Sequence, residues 1–470
     1  MTNNAFREYD IRGVIGKEIE LNNVKDLTKS ILTFFIKEKP NLKEIIVGMD
    51  GRTHSPSMKK EVIAACQELG IDVTFIGVCP SPVFYFTLFN TPIQSGLMIT
   101  ASHNPKEYNG IKICLKKKSV WGDQIREIRK IYNDKSFIKK SIKNKVGKIS
   151  NYDPLGPYLD WMCNHFAHLK GKVVNAVIDC GNATAGVVLP KLIKMLDLKN
   201  TKLLFEEVDG DFPNHEADPT NPKNMVFVKK LLKSNSYEIG LGLDGDCDRM
   251  NPMTKSGYLV PGDKLLALYS KQIIKKHPGA SIVFDIKSSD TLIQALKEMG
   301  ARPCIAPSGH SIIKEHLYKN NAKLAGELSC HFFFNDRYFG YDDGIYAALR
   351  LFELLDESEE SLEDMLEKLP TRVSSPEYRI NCAEEIKPEI VEHVKTIFAT
   401  RKDTHMLTID GLRATTPYGW GLVRASNTQA VICLRFESDT QDGLQQLERD
   451  FTQALTPYFN EKELEKHFGK

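Results

Sequence analysis

The chain has almost no net charge: 63 basic residues against 61 acidic ones leave +2 over 470 residues. Without an excess of one sign, no long-range field draws the whole molecule onto nucleic acid or an anionic membrane, and neither is implied as a partner. Long apolar runs are missing as well. The longest patches, such as Ile31–Ile36, are far too short to span a bilayer. The first residues, Met-Thr-Asn-Asn-Ala-Phe-Arg-Glu, hold no apolar signal region. No Cys-x-x-Cys pair occurs among the ten cysteines, and Cys66, Cys114, Cys180 and Cys433 sit inside apolar runs. They read as reduced core thiols of a cytoplasmic protein, not as a disulfide frame or a thiolate metal site. What is present, 41% hydrophobic and 26% charged residues, is the balance of a soluble globular chain. Its length implies three or four domains, each able to bury a core.

The first part alternates strand-like and helix-like segments. Phe6–Gly13 begins a strand that places Arg12 at its polar end. Asn23–Lys37 has helical periodicity, Glu44–Met49 reads as a buried strand, and Ser57–Leu69 as an amphipathic helix closed by Gly70. Val73–Val78 is the next strand, Val83–Phe89 a short helix, and Ile111–Ile113 a strand carrying Lys112. The same grammar returns twice. Val173–Asp179 is a strand leading through small residues into a helix at Val187–Leu196, and Ile282–Asp285 leads into Thr291–Met299. Such alternation predicts three-layer α/β domains with their active loops at strand ends. The polar, basic stretch Lys139–Lys148 is the expected first linker. From Pro370, after an acidic helix at Glu359–Leu369, the pattern changes. Strands at Tyr378–Cys382, Leu407–Ile409, Gly421–Arg424 and Ala430–Phe436, with helices at Glu389–Phe398 and Gly443–Leu455, predict an α+β domain. The expected division is 1–148, 149–253, 254–369 and 370–470.

Two constellations carry chemistry. Leu97–Thr100 is long enough for a buried strand, and Ala101-Ser-His-Asn-Pro105 follows it as a turn. Ser102 arrives there at a strand end with His103 beside it, suited to act as a nucleophile or phosphate carrier. Leu243-Asp-Gly-Asp-Cys-Asp-Arg249 places Asp244, Asp246 and Asp248 two residues apart. On an extended backbone that spacing points all three carboxylates one way. Three converging carboxylates repel unless a cation sits among them, and oxygen-only ligation suits Mg²⁺. A calcium loop is excluded, because Arg249 stands where such a loop needs glycine and Lys255 where it needs glutamate. The overlapping Gly240-x-Gly242-x-x-Gly245 copies a dinucleotide fingerprint, yet its glycines fall inside a strand and aspartates follow where pyrophosphate would sit.

Three further loops complete the set. Pro307-Ser-Gly-His-Ser311 offers His310 as an acid or base near neutral pH. Glu327 and Ser329, in Gly326-Glu-Leu-Ser-Cys-His331, are spaced to share one face and suit a pair of sugar hydroxyls. Arg424-Ala-Ser-Asn-Thr428 ends a strand with a guanidinium and small polar groups, which suits a phosphate.

Taken in order, these segments resemble the α-D-phosphohexomutase family, and within it the bacterial phosphomannomutase/phosphoglucomutase branch. The resemblance covers nearly the whole chain and includes Asp209–His215 and Tyr341–Tyr346. It implies four domains around a central cleft, three related α/β domains and a fourth α+β one, each giving a loop. By match, Ser102 would be the phosphoserine, and Asp244, Asp246 and Asp248 would hold Mg²⁺ alongside its phosphate. Tyr9, Lys287, Glu327 and Ser329 would contact substrate. Arg424, Ser426, Asn427 and Thr428 would bind the non-reacting phosphate, while Arg12, His103, Lys112, Arg249, His310 and His331 would line the reaction site. The implied reaction interconverts hexose 1-phosphate and hexose 6-phosphate, of mannose or glucose, through a 1,6-bisphosphate that turns over in the cleft. A phosphoglucosamine mutase and a sugar-phosphate-binding homologue without turnover are the alternatives. Departures from the family pattern are Cys247 and Cys330 in place of glycine, Gln429 where proline is common, and the polar run Met250–Met253.

Overall fold

The computed structural model describes residues 1–139, 145–234, 236–427 and 429–468. Residues 140–144 of the expected linker therefore lie outside the described residues. Four sheets follow one another along the chain. In the first, the strands run Ile11–Val14, Tyr108–Leu115, Gly96–Ile99, Glu44–Met49, Asp72–Val78 and Ile149–Asn151 from edge to edge, with Lys118–Ser119 paired to Tyr108–Leu115. Glu44–Met49 runs parallel to both its neighbours, while Tyr108–Leu115 is antiparallel to the strands on either side. Because Ile149–Asn151 pairs with Asp72–Val78, the first sheet extends past residue 148.

The second and third sheets share one plan of three parallel strands and one antiparallel edge. Val173–Asp179 lies between Ile239–Leu243 and Lys199–Leu204, with Met250–Thr254 antiparallel outside. Ser281–Asp285 lies between Arg302–Ala306 and Leu324–Gly326, with Phe332–Phe334 antiparallel outside. Parallel strands demand helical crossovers, and the helices Ala185–Leu196, Asp290–Glu298 and His310–Lys319 provide them. The fourth sheet is wholly antiparallel and is packed by the helices Lys387–Ala399 and Gln441–Leu455. Its strand at Leu412–Thr416 was not foreseen, and the strand expected at Leu407–Ile409 lies at His405–Leu407, because Asp410–Gly411 turns the chain. The result is a four-domain α/β fold.

Packing is uneven in a way that matters for the site. A continuous apolar core joins the first three units, running from Phe84 and Met98 through Tyr158 and Leu241 to Tyr269 and Ile345. The fourth unit has its own core around Phe398, Phe436 and Phe451. Among the described residues a small apolar cluster of Ile286, Trp420 and Leu422 bridges it to the third, beside ion pairs of Arg413 with Asp290 and of Lys287 with Glu377. No described helix is long and apolar enough to cross a membrane.

Candidate active site

The loops singled out in the sequence leave the C-terminal ends of strands Gly96–Ile99, Ile239–Leu243, Arg302–Ala306 and Leu324–Gly326, the positions where α/β sheets place ligands. Together with the end of strand Gly419–Ala425 they enclose one cleft of about 110 Å³. Tyr9, Arg12, Ser102, His103, Lys112, Asp248, Arg249, Lys287, His310, Glu327, Ser329, His331, Arg424, Ser426 and Asn427 all line it. Thr428 lies outside the described residues.

Ser102 sits in a strained turn at φ +52°. What holds it there is Arg52, whose buried guanidinium donates to four carbonyls of the same loop: Ser102 at 2.8 Å, Asn104 at 2.5 Å, Pro105 at 2.7 Å and Tyr108 at 3.1 Å. The sequence reading passed Arg52 by. Ser102 Oγ donates to Asp244 Oδ2 at 2.7 Å and lies 3.1 Å from His103 Nδ1. This contact between units needs a close approach of backbones. A Cβ on Gly245 would stand 2.3 Å from the Ser102 carbonyl oxygen, so only glycine fits.

Asp244, Asp246 and Asp248 are buried, and their ligand atoms lie within 4.8 Å of one another. They converge by a different route from the one expected. Strand Ile239–Leu243 stops before Asp244, and a tight turn, with Cys247 N donating to Asp244 O at 3.0 Å, gathers the carboxylates. Lys112 Nζ pairs with Asp246 at 2.7 Å and with Asp248, and Ser81 Oγ donates to Asp246 Oδ2 at 2.5 Å. Asp246 Oδ1 is buried with no partner. Burial and the neighbouring Asp248 and Asp246 push the Asp244 carboxyl well above its usual range. An all-oxygen trio with an orphaned oxygen and one carboxyl forced towards protonation fits a divalent cation.

Electrostatics divide the histidines. Burial, with Arg249 and Arg12 nearby, holds His103 well below the ordinary imidazole value. Burial and Lys314 also lower His310, against the opposing pull of Asp342. His331 goes the other way: burial is outweighed by Asp248, at 3.1 Å from Nε2, and it is pushed up to about 9. Glu327 is buried too, but His331 at 3.2 Å and Lys287 bring its carboxyl down to about 2. Its Oε1 accepts from Gly309 N at 2.8 Å, and Oε2 faces His331 Nδ1 at 3.2 Å.

At the far end of the cleft, Arg424 Nε donates to Asp410 Oδ2 at 2.9 Å, while Nη2 is buried and unpartnered. Asp410 also accepts from Ser308 N at 3.0 Å. Tyr9 Oη donates to Ser308 O at 2.9 Å and accepts from Asn427 Nδ2, joining the first unit to the third and fourth. Sequence reading missed Glu377 and Arg379, which line the cleft beside Lys287. It gave no role to Asp342, which lies 3.4 Å from His310 and 3.0 Å from Lys314. The segment Ser375-Pro-Glu-Tyr-Arg379 carries no signal that could have marked them.

Four family models match the chain in order. "Phosphoglucomutase/phosphomannomutase, alpha/beta/alpha domain I" covers residues 3–139, domain II 157–257, domain III 261–373, and the C-terminal domain 377–454. The chain is 36% identical over 450 residues to a phosphomannomutase/phosphoglucomutase of Pseudomonas aeruginosa, covering 96% of this chain and 95% of that one. It is 37% identical over 456 residues to a phosphoglucomutase of Neisseria gonorrhoeae, with 97% of each covered. Among solved structures, a phosphoglucomutase/phosphomannomutase family protein from Burkholderia thailandensis matches with a TM-score of 0.88 at 32% identity, over 98% of this chain and 99% of that one.

Proposed function

This chain belongs to the phosphoglucomutase/phosphomannomutase family and is a hexose phosphate mutase; on that premise we propose that it interconverts the 1- and 6-phosphates of mannose or glucose through a phosphorylated Ser102 and a hexose 1,6-bisphosphate. The observation that carries the reading is the pairing of Ser102 Oγ with Asp244 at one end of a cleft whose other end presents the unpartnered Nη2 of Arg424. A phosphoryl group on Ser102 would lie among Arg12, Lys112, Arg249 and the cationic His331, which neutralise its oxygens. Asp244, Asp246 and Asp248, with the phosphate on Ser102, would hold Mg²⁺. When bound it supplies charge neutralisation to the transferring group.

His103 and His310 stay neutral at pH 7 and can take the proton that an attacking sugar hydroxyl gives up. Glu327, a carboxylate at neutral pH, and Ser329 accept from sugar hydroxyls and orient the ring. Arg424, with Ser426, Asn427 and Thr428, holds whichever phosphate is not reacting, and Lys287 and Tyr9 complete that end. We place the enzyme in the cytoplasm, a reading supported by ten free thiols. We retain four units bounded near 148, 253 and 369, moving the first boundary beyond Asn151 because that strand completes the first sheet.

The test is intact-protein mass spectrometry with coupled assays of mannose 1-phosphate, glucose 1-phosphate and glucosamine 1-phosphate. Wild type should show a phosphate adduct exchangeable with glucose 1,6-bisphosphate, and Ser102→Ala should lose both the adduct and most activity. Full activity in that variant sinks the assignment, and a preference for glucosamine 1-phosphate overturns the choice of sugar.

A further inference from the structure

A second, larger groove of about 820 Å³ lies between the first and third units, and its lining shares no residue with the reaction cleft. One wall is the hairpin joining Tyr108–Leu115 to Lys118–Ser119, and the other is the helix His310–Lys319. Its chemistry is lopsided in two respects. Six basic side chains face three acidic ones, and the aromatic rings of Tyr85, Phe89, Trp121, Tyr318 and Tyr341 supply flat apolar surface.

Lys116 Nζ donates to Glu38 O at 2.8 Å and Lys117 Nζ to Phe89 O at 3.3 Å, so Lys118 and Lys319 carry the charge left for a ligand. Lys116 and Lys117 form the two-residue hairpin turn at φ +53° and +65°, a conformation that asparagine-glycine adopts freely and lysine does not. Lys117 Nζ lies 5.1 Å from the centroid of the Phe89 ring, and Lys314 Nζ 4.5 Å from that of Tyr85. Two hydroxyls among the lining residues, Tyr85 Oη and Ser311 Oγ, are buried without any hydrogen-bond partner. Buried polar atoms are rarely left so unless water or a ligand completes them.

We infer that this groove is a second anion site that takes a phosphorylated aromatic ligand of the nucleoside diphosphate class. The base stacks on the rings, and the phosphates meet the lysines of the hairpin and of the helix.

GDP titrated into the full-length protein, read by calorimetry and by quenching of tryptophan fluorescence that is lost in Trp121→Phe, tests this, with tripolyphosphate as the base-free control. GDP should bind, tripolyphosphate should bind at least tenfold more weakly, and glucose 6-phosphate should not displace GDP. The double variant Lys118→Glu, Lys319→Glu should weaken GDP binding at least tenfold while hexose phosphate turnover stays at the wild-type rate. No heat or quench with GDP at about 1 mM overturns the inference. So does tripolyphosphate binding as tightly as GDP, competitive displacement by glucose 6-phosphate, or an unchanged affinity in the double variant.

Discussion

At Cys247 and Cys330 the backbone adopts φ of +62° and +66°, where a side chain is strained and glycine is not. Both positions lie in loops of the cleft. Removing the thiol and removing the strain are separable effects. Cys330→Gly should therefore be more stable than Cys330→Ala by about 1 kcal/mol, the reverse of the usual order of these residues. Chemical denaturation of the two variants side by side checks it. Glu377 gives a second residue-scale prediction. Burial alone would raise its carboxyl, but Lys287, Arg379 and Arg424 bring it down to about 2 from the ordinary 4.5. A folded value below the unfolded one stabilises above pH 4.5, and that stability is lost as pH falls towards 2. The contribution at neutral pH is on the order of 3 kcal/mol. Glu377→Gln should be the less stable protein at pH 7, and the gap should narrow steadily below pH 4.5. A gap independent of pH would show that Glu377 acts by packing alone.

The loop Ala101–Pro105 is an element with little internal structure, and its shape is imposed by one guanidinium from the loop after Glu44–Met49. Arg52→Ala strands a buried Asp50 and leaves four carbonyls without their donor, which should cost about 3–5 kcal/mol. Arg52→Lys, a point charge without the planar fork, should recover part of the stability and little of the activity. Thermal melts paired with turnover measurements separate the two. Arg52 also marks where sequence reading stops. Strands such as Glu44–Met49 and Val173–Asp179 were legible because burial on both faces produces unbroken apolar runs. Leu412–Thr416 was not, since Leu-Arg-Ala-Thr-Thr has too weak an alternation to signal a strand. Loops bearing Ser102, Asp244, His310, Glu327 and Arg424 announced themselves through unusual local clusters of polar groups. Arg52, Glu377 and Asp410 reach the site from segments whose neighbours in sequence give no hint of it. Only folding brings such charges to their partners.

At the scale of the whole molecule, three units share a core, while the fourth meets the third through a small apolar cluster of Ile286, Trp420 and Leu422 and a set of polar links. Among these, Arg413 Nη1 donates to Ile286 O at 2.7 Å and Ser288 O at 2.8 Å, and Arg413 pairs with Asp290. Sites for small molecules run to roughly 300–1,000 Å³, whereas this cleft encloses about 110 Å³. For a bisphosphate to turn there the cleft has to widen, and the fourth unit, which has its own separate core, is the part we expect to move. Tyr9→Phe removes the hydroxyl that meets both Ser308 and Asn427. Small-angle scattering should give this variant a larger radius of gyration than wild type, and phosphorus NMR should find several-fold more free bisphosphate during turnover. Equal radii and equal leakage would place the closing contact elsewhere. On the proposed mechanism the Tyr9 hydroxyl would also set a kinetic partition. Each time the proposed bisphosphate formed, it would either complete its exchange or diffuse into solution, at odds set by how long Tyr9 holds Ser308 and Asn427. Processivity would then be set at the phosphate-holding end of the cleft, by the lifetime of a phenol's two hydrogen bonds.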